Sequence, residues 1–167
     1  MALSKIQAES MNLADTYAFS GTVTGTVSGT NAFAARTSPN SWAAVSAGAI
    51  VEFSDDSTGD NFDTDSRFNT STYKFTAPAT GLYMFWYTVY TANTDTNNGF
   101  GFLKNSTKIN MQYSSSGYFT FDETANDKVQ NGTIILPLSA NDTMAVIAVI
   151  ASDYFKGHSQ FGGCRLA

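Results

Sequence analysis

Apolar and polar positions alternate along most of this chain in short runs, and one run departs from the alternation. In residues 68–91 (FNTSTYKFTAPATGLYMFWYTVYT) a strand carrying Tyr73 and Phe75 ends at Ala77-Pro78, turns at Thr80-Gly81 and leads into a second strand over 82–91. Successive side chains of a strand point to opposite faces of its sheet. Leu82, Met84, Trp86 and Tyr90 therefore share one face, and Tyr83, Phe85, Tyr87 and Val89 the other. A strand that is apolar on both faces must be covered on both. A sandwich core supplies one cover, and the pattern predicts that a second copy of the chain supplies the other. Residues 143–151 (TMAVIAVIA) repeat the signal, with Met144, Val146 and Ile150 facing one way and Ala145, Ile147, Val149 and Ala151 the other. Two such strands suit the axis of a symmetric oligomer.

The remaining pattern predicts strands over 32–37, 42–46, 49–54, 71–76, 99–104, 107–112, 117–121 and 132–138, with a last one around 158–166. Clusters of Asp, Asn, Ser, Thr and Gly such as SDDSTGDNFDTDS and ANTDTNN separate them. A strand roughly every ten residues, without helical interruption, predicts a sandwich or jelly roll. Ahead of the strands lie two different segments. Residues 1–20 carry spaced apolar positions, Leu3, Ile6, Met11, Leu13, Tyr17 and Phe19, that hold no helical period beyond one turn capped by Ser4 and Gln7. They read as an arm that docks on another protein. Residues 21–30 (GTVTGTVSGT) repeat with Gly at 21, 25 and 29, a period of four that excludes collagen. This segment reads as an extended linker or a thin strand, so the expected division is an arm and linker over 1–30 and one domain over 31–167.

Composition narrows the function. Only 14% of the 167 residues are charged, against about 25% ordinarily, while 14% are aromatic. That is an all-β composition, rich in strand and turn formers. The net charge of −5 and the lack of any Lys/Arg cluster argue against nucleic acid and against an electrostatically held membrane. The N-terminus MALSKIQAES has no apolar core of a signal peptide, and no apolar run approaches a spanning helix, so synthesis in the cytoplasm without a leader is expected. Cys164 is the only cysteine, which excludes an intrachain disulfide and leaves it as a small buried hydrophobe.

Candidate chemistry is sparse. Asp55, Asp56, Asp60, Asp63 and Asp65 gather in one loop that offers oxygens to calcium, with Asp60, Asp63 and Asp65 the candidate ligands. The spacing is not that of an EF-hand, and a solvated acidic loop is the competing reading. His158 is the sole histidine, without the partners a triad or a zinc site needs, and reads as an edge or interface residue. Glu52 and Glu123 are too isolated for a paired-carboxylate glycosidase. No catalytic residue and no cofactor is expected. Tyr113, Tyr118, Tyr154, Phe119 and Phe155 are candidates for stacking on a sugar, with packing the competing reading. Sequons at Asn69, Asn105, Asn131 and Asn141 follow from an Asn/Thr-rich composition.

Taken in order, AFAART (32–37), IVEF (50–53), YKFTAPATGLYMFWYTV (73–89), GFLKNSTKI (101–109) and GTIILPLSANDTMAVIA (132–148) resemble the globular domain of complement C1q and its tumour-necrosis-factor relatives. Leu103, Lys104 and Asn105 sit where that family has a Leu/Met-Lys-Asn strand end, and the tail FKGHSQFGGCRLA is similar to its final Phe-Gly strand. The resemblance implies a ten-stranded jelly roll that trimerises about a three-fold axis in a non-enzymatic role. On that basis Tyr83, Phe85, Tyr87, Val89, Ile147 and Val149 are expected in the core or at the trimer interface. The collagen stalk of secreted members is missing. In its place SKIQAESMNLADTYAFSGTV is similar to the leading arms of tail-fibre-like and other bacteriophage structural proteins. The two resemblances together imply a virion surface protein, a trimeric capsid decoration or cement protein held to the major capsid protein by residues 1–30. The alternative is a tail-fibre module that recognises a host surface glycan.

Overall fold

A computed structural model describes residues 31–37, 40–54, 61–91, 99–109 and 128–166. The expected strand over 117–121, the last residues of the one over 107–112, and the whole of the arm and linker lie outside the described residues.

The strands are β1 (Ala32–Arg36), β2 (Trp42–Val45), β3 (Phe62–Asp63), β4 (Phe68–Asn69), β5 (Lys74–Thr76), β6 (Gly81–Thr91), β7 (Phe100–Lys104), β8 (Thr107–Ile109), β9 (Lys128–Leu138), β10 (Thr143–Ala148), β11 (Ser152–Phe155) and β12 (Gln160–Arg165). They form two antiparallel sheets. The first has the order β2-β11-β6-β12-β1-β3, with β9 on the other edge of β6; the second has the order β4-β5-β10-β7-β8. Twelve strands appear among the described residues where the resemblance implies ten, because short stretches pair locally. The acidic loop contributes β3, which lies against β1, with Phe33 opposite Asp63 and Ala34 opposite Phe62. The predicted run over 143–151 breaks after Ala148 and resumes as β11, which crosses to the other sheet.

One predicted strand is not regular. Residues 49–54 make only isolated bridges, Ile50 to Ile147 and Arg36 to Ser54. The backbone is tied at Val51 N to Val146 O (2.9 Å), and Phe53 N then turns back onto Val51 O (3.0 Å). The segment acts as a plug: Val51 and Phe53 are fully buried between the sheets. The strand expected over 71–76 shortens to β5, since Asn69 accepts the Ser71 and Thr72 amides and closes a turn ahead of it.

The core is aromatic. Phe33 stacks on Phe75 with centroids 5.0 Å apart and meets Phe161 edge-on at 5.0 Å. Tyr87 meets Phe102 edge-on at 5.1 Å, and its hydroxyl donates to Phe100 O at 2.9 Å. Burial pushes that phenol up to about 12, so it stays a neutral donor. At the end where the chain enters the domain, Asn105 and Ser106 adopt left-handed backbone (φ 48° and 73°) and close the β7–β8 hairpin. Asn105 donates to Asp142 Oδ1 (2.6 Å) and accepts the Thr143 amide (2.7 Å), pinning that hairpin to the β9–β10 turn.

Candidate functional site

The two faces of β6 part company. Tyr83, Phe85, Tyr87 and Val89 point between the sheets and are 0–4% exposed. The opposite set, Leu82, Met84, Trp86 and Tyr90, lies on the outer face of the seven-stranded sheet, half-buried or exposed. Among the described residues the large hydrophobic side chains left exposed are Trp42, Phe62, Leu82, Val129, Ile135 and Leu166. The pleat puts every one of these on that same outer face. Phe62 is opposite Ala34, whose neighbours Phe33 and Ala35 point inward; Val129 and Ile135 are opposite Tyr90 and Met84. Trp42 is opposite Phe155, beside inward Tyr154, and Leu166 follows Cys164 and hydrogen-bonds Leu82 O (2.7 Å). Scattered apolar residues on a surface need no explanation, whereas a contiguous apolar face marks a binding surface.

Two consecutive glycines shape this face. In β12, Gly162 is opposite Trp86 and Gly163 is opposite Phe85. A Cβ on Gly162 would sit 2.3 Å from Trp86 Cζ2, and one on Gly163 would sit 2.4 Å from Phe85 Cδ1. Each ring therefore lies flat across a glycine, Phe85 inside the sandwich and Trp86 outside it. The pairing cannot be found from the sequence without the β6–β12 register, which sets Gly-Gly against Phe-Trp.

Register rows divide the outer face in two. Ala32, Cys164, Met84 and Ile135 form one row across β1, β12, β6 and β9, and Ala34, Gly162, Trp86 and Thr133 form the next. With Leu82, Pro137 and Leu166 beside them they make a lower patch that is aliphatic apart from Trp86. The following row is polar: Arg36, Gln160, Thr88 and Asn131. Thr88 Oγ1 donates to Asn131 Oδ1 at 2.7 Å within it. Beyond that band lies an upper patch of rings, Tyr90, Trp42, Phe155 and His158.

The other expected site residues fall elsewhere. Ile147 (3% exposed) sits on the outer side of the five-stranded sheet, packed with Leu103, Ala145 and Ile50 in a small second core. Val149 lies in the bend after β10, its amide donating to Gly99 O (2.7 Å). Asp63 accepts the amides of Phe68 (2.7 Å) and Asp65 (3.3 Å), and Asp65 accepts Asn31 Nδ2 (2.7 Å) and Arg67 Nε (2.9 Å). Both carboxylates thus serve as loop staples; Asp60 lies outside the described residues, among which no group of three metal-ligating side chains occurs. Cys164, expected to be buried, is only half-buried, because its outward position in β12 places it on the lower patch. Of the ring candidates for sugar stacking, Tyr154 follows the packing reading, in the core at 1% exposed because β11 turns it inward, while its neighbour Phe155 faces out. Tyr113, Tyr118 and Phe119 lie outside the described residues, as do Leu3, Ile6, Met11, Leu13, Tyr17 and Phe19. Glu52 is exposed and pairs with Lys156 at 3.2 Å. Among the described residues no helix is long and apolar enough to cross a membrane.

A two-sheet antiparallel jelly roll with two apolar patches on one outer face defines the class, an all-β sandwich domain. Residues 32–164 match the family model of the C1q domain, and the chain belongs to that family. Its fold is similar to the globular domain of zebrafish complement 1qA protein (16% identity, TM-score 0.58, covering 83% of this chain and 98% of that one). It is also similar to murine APRIL (10% identity, TM-score 0.58, 83% and 100%) and to Eiger TNF from S. frugiperda (14% identity, TM-score 0.57, 83% and 93%). No curated protein matches the sequence. Domains of this family generally form homotrimers and are generally non-enzymatic binding modules.

Proposed function

We propose that the chain is a homotrimeric, non-enzymatic surface protein of a bacteriophage particle, a capsid decoration or cement protein. The lower patch of the seven-stranded sheet is the seam between its copies. The observation that carries the trimer is the gathering of the exposed Leu82, Ile135 and Leu166 on that lower patch. Exposed apolar surface of this extent is disfavoured in water at roughly 25 cal/mol per Å², and a second and third copy remove it. The virion reading rests on the likeness of residues 4–23 to phage arms, with Leu3, Ile6, Met11, Leu13, Tyr17 and Phe19 as anchors on the major capsid protein.

Deleting residues 1–20 tests the anchoring: the variant should remain a trimer in sedimentation and fail to decorate particles depleted of the protein. Decoration surviving the deletion would overturn the anchor. Electron microscopy of intact particles should place the protein on the outer capsid surface. The second reading, a tail-fibre module that grips a host glycan, is favoured by the upper patch, where exposed aromatic rings stand apart from the lower seam.

A further inference from the structure

Four rings from three stretches of chain meet beyond the polar band, at Tyr90, six residues further along β6 than Met84, or about 20 Å away. Trp42 on β2 and Tyr90 on β6 have centroids 5.8 Å apart and planes tilted by 30°. Phe155 on β11 stands edge-on to both, at 5.3 Å from Trp42 and 6.1 Å from Tyr90. His158 lies 4.8 Å from Phe155 and 5.5 Å from Tyr90. Trp42 is 47% exposed and His158 is exposed, so ring surface faces solvent.

The cluster is held by backbone. Trp42 and Phe155 are register partners. The 3-10 turn Lys156–His158 is tied down by Lys156 N to Ser41 O (2.9 Å) and Ser159 Oγ to Phe155 O (2.9 Å), and Ser159 Oγ also accepts the Tyr90 amide (3.2 Å). Gly157 is wedged against Asn40, where a Cβ would collide with the Asn40 side chain. The rings are thus placed before any ligand arrives, which reduces the ordering cost of binding.

The spacing excludes a caged cation. A cation held between aromatic walls lies up to about 6 Å from each centroid, which requires opposing rings well separated. Here neighbouring rings touch, at 4.8–6.1 Å, and no slot remains between them. What is offered is the half-exposed Trp42 ring, and the negative face of such a ring attracts the C–H bonds of a flat apolar ligand face. The exposed His158 imidazole, and exposed Asn40 against Gly157, the residue before His158, supply hydrogen-bonding groups. A pyranose matches this arrangement, with C–H bonds on one face and hydroxyls around the edge. The chain's net charge of −5 disfavours an acidic glycan. We infer that Trp42, Tyr90, Phe155 and His158 form a stacking site for a neutral pyranose of a surface glycan, an inference that rests on the receptor-binding reading.

The full-length trimer should be screened on an array of neutral and acidic oligosaccharides, and its best ligand titrated by calorimetry and tryptophan fluorescence. Trp42 and Trp86 are the only tryptophans, so stacking on Trp42 is read directly as a change in emission that Trp42→Phe removes. The expected result is binding to neutral oligosaccharides, weakened at least 10-fold by Trp42→Ala and by Phe155→Ala, a few-fold by His158→Ala, and partly kept by Trp42→Phe, with the trimer intact. Glycan binding unaffected by these variants would overturn the site while leaving the receptor-binding reading standing. No binding to any array member would overturn both. Loss of the trimer in Trp42→Ala and His158→Ala, without loss of glycan binding, would assign the patch to a second copy and overturn the site.

Discussion

Strands β6 and β10 are both apolar on their two faces, and the fold treats them differently. In β10, Met144, Val146 and Ala148 enter the main core, while Ala145 and Ile147 are buried on the other side with Leu103 and Ile50. The chain covers both faces of that strand itself, using the segment that bridges at Ile50. In β6 the inner face is sealed by the opposite sheet, and on the outer face Leu82 is exposed while Met84, Trp86 and Tyr90 are only half-buried. The difference is one of residue size and neighbours. Ala145 and Ile147 are covered together with Leu103 and the Ile50 side chain, whereas Leu82, Met84 and Trp86, beside exposed Ile135 and Leu166, need a larger covering surface. A two-sided strand is therefore evidence for a partner only when its outer set is bulky.

The largest expected effect is on the sealed face of β6. Phe85→Ala should destabilise the domain by about 3–5 kcal/mol in urea unfolding, because the cavity opens among Phe33, Phe75 and Phe161. Ile147→Ala should cost about 2–3 kcal/mol with the trimer unchanged in sedimentation, which separates the covered outer face of β10 from the open one of β6. Ile135→Lys reverses that pattern. Unfolding should move by no more than about 0.5 kcal/mol, while association weakens by about 2 kcal/mol, roughly 30-fold in the dissociation constant. An unchanged trimer would remove the lower patch from the seam. The two glycines sharpen the contrast: Gly163→Ala should cost about 1–3 kcal/mol because Phe85 has nowhere to go. Gly162→Ala should cost less in unfolding and more in association, since the Trp86 ring can lift off the surface it shares with a partner copy.

The smallest effect is electrostatic. The Asn105 amide foremost, then the Ser139 amide and Lys104, hold the Asp142 carboxyl down at about 2. A carboxyl lowered in the folded state stabilises fully above its ordinary value near 3.8, and that contribution is lost as pH falls through about 2. Urea midpoints of the wild type should thus decline between about pH 4 and pH 2, and those of Asp142→Asn should decline less. Equal slopes would mean that other carboxylates set the acid limb.

Much of the fold was legible along the chain because alternation, turn residues and aromatic content act locally. The pairs Ala77-Pro78 and Thr80-Gly81 delimit β6 to within a residue, and the run of Leu103, Lys104 and Asn105 marks the β7 hairpin that the structure closes. Residues 49–54 misled for a local reason: Val51 and Phe53 alternate like a strand, yet they plug the sandwich without a continuous neighbour to pair with. The ring cluster was legible only in part. Phe155 and His158 attracted notice singly, but Trp42 and Tyr90 join them through the β2–β11–β6 pairing, which no local pattern encodes.

Composition and period two were sufficient to establish an all-β sandwich or jelly roll and to say that β6 carries two apolar faces, because side-chain direction in a strand follows from the backbone alone. Which of those faces is left outside was decided by tertiary structure. Long-range pairing brings Gly162 under Trp86, sets a polar row between the two patches, and ties residues 49–51 alongside β10 with Val51 and Phe53 in the core. Burial is a property of what the rest of the chain places against a residue, and that is fixed by register between strands that are distant in sequence.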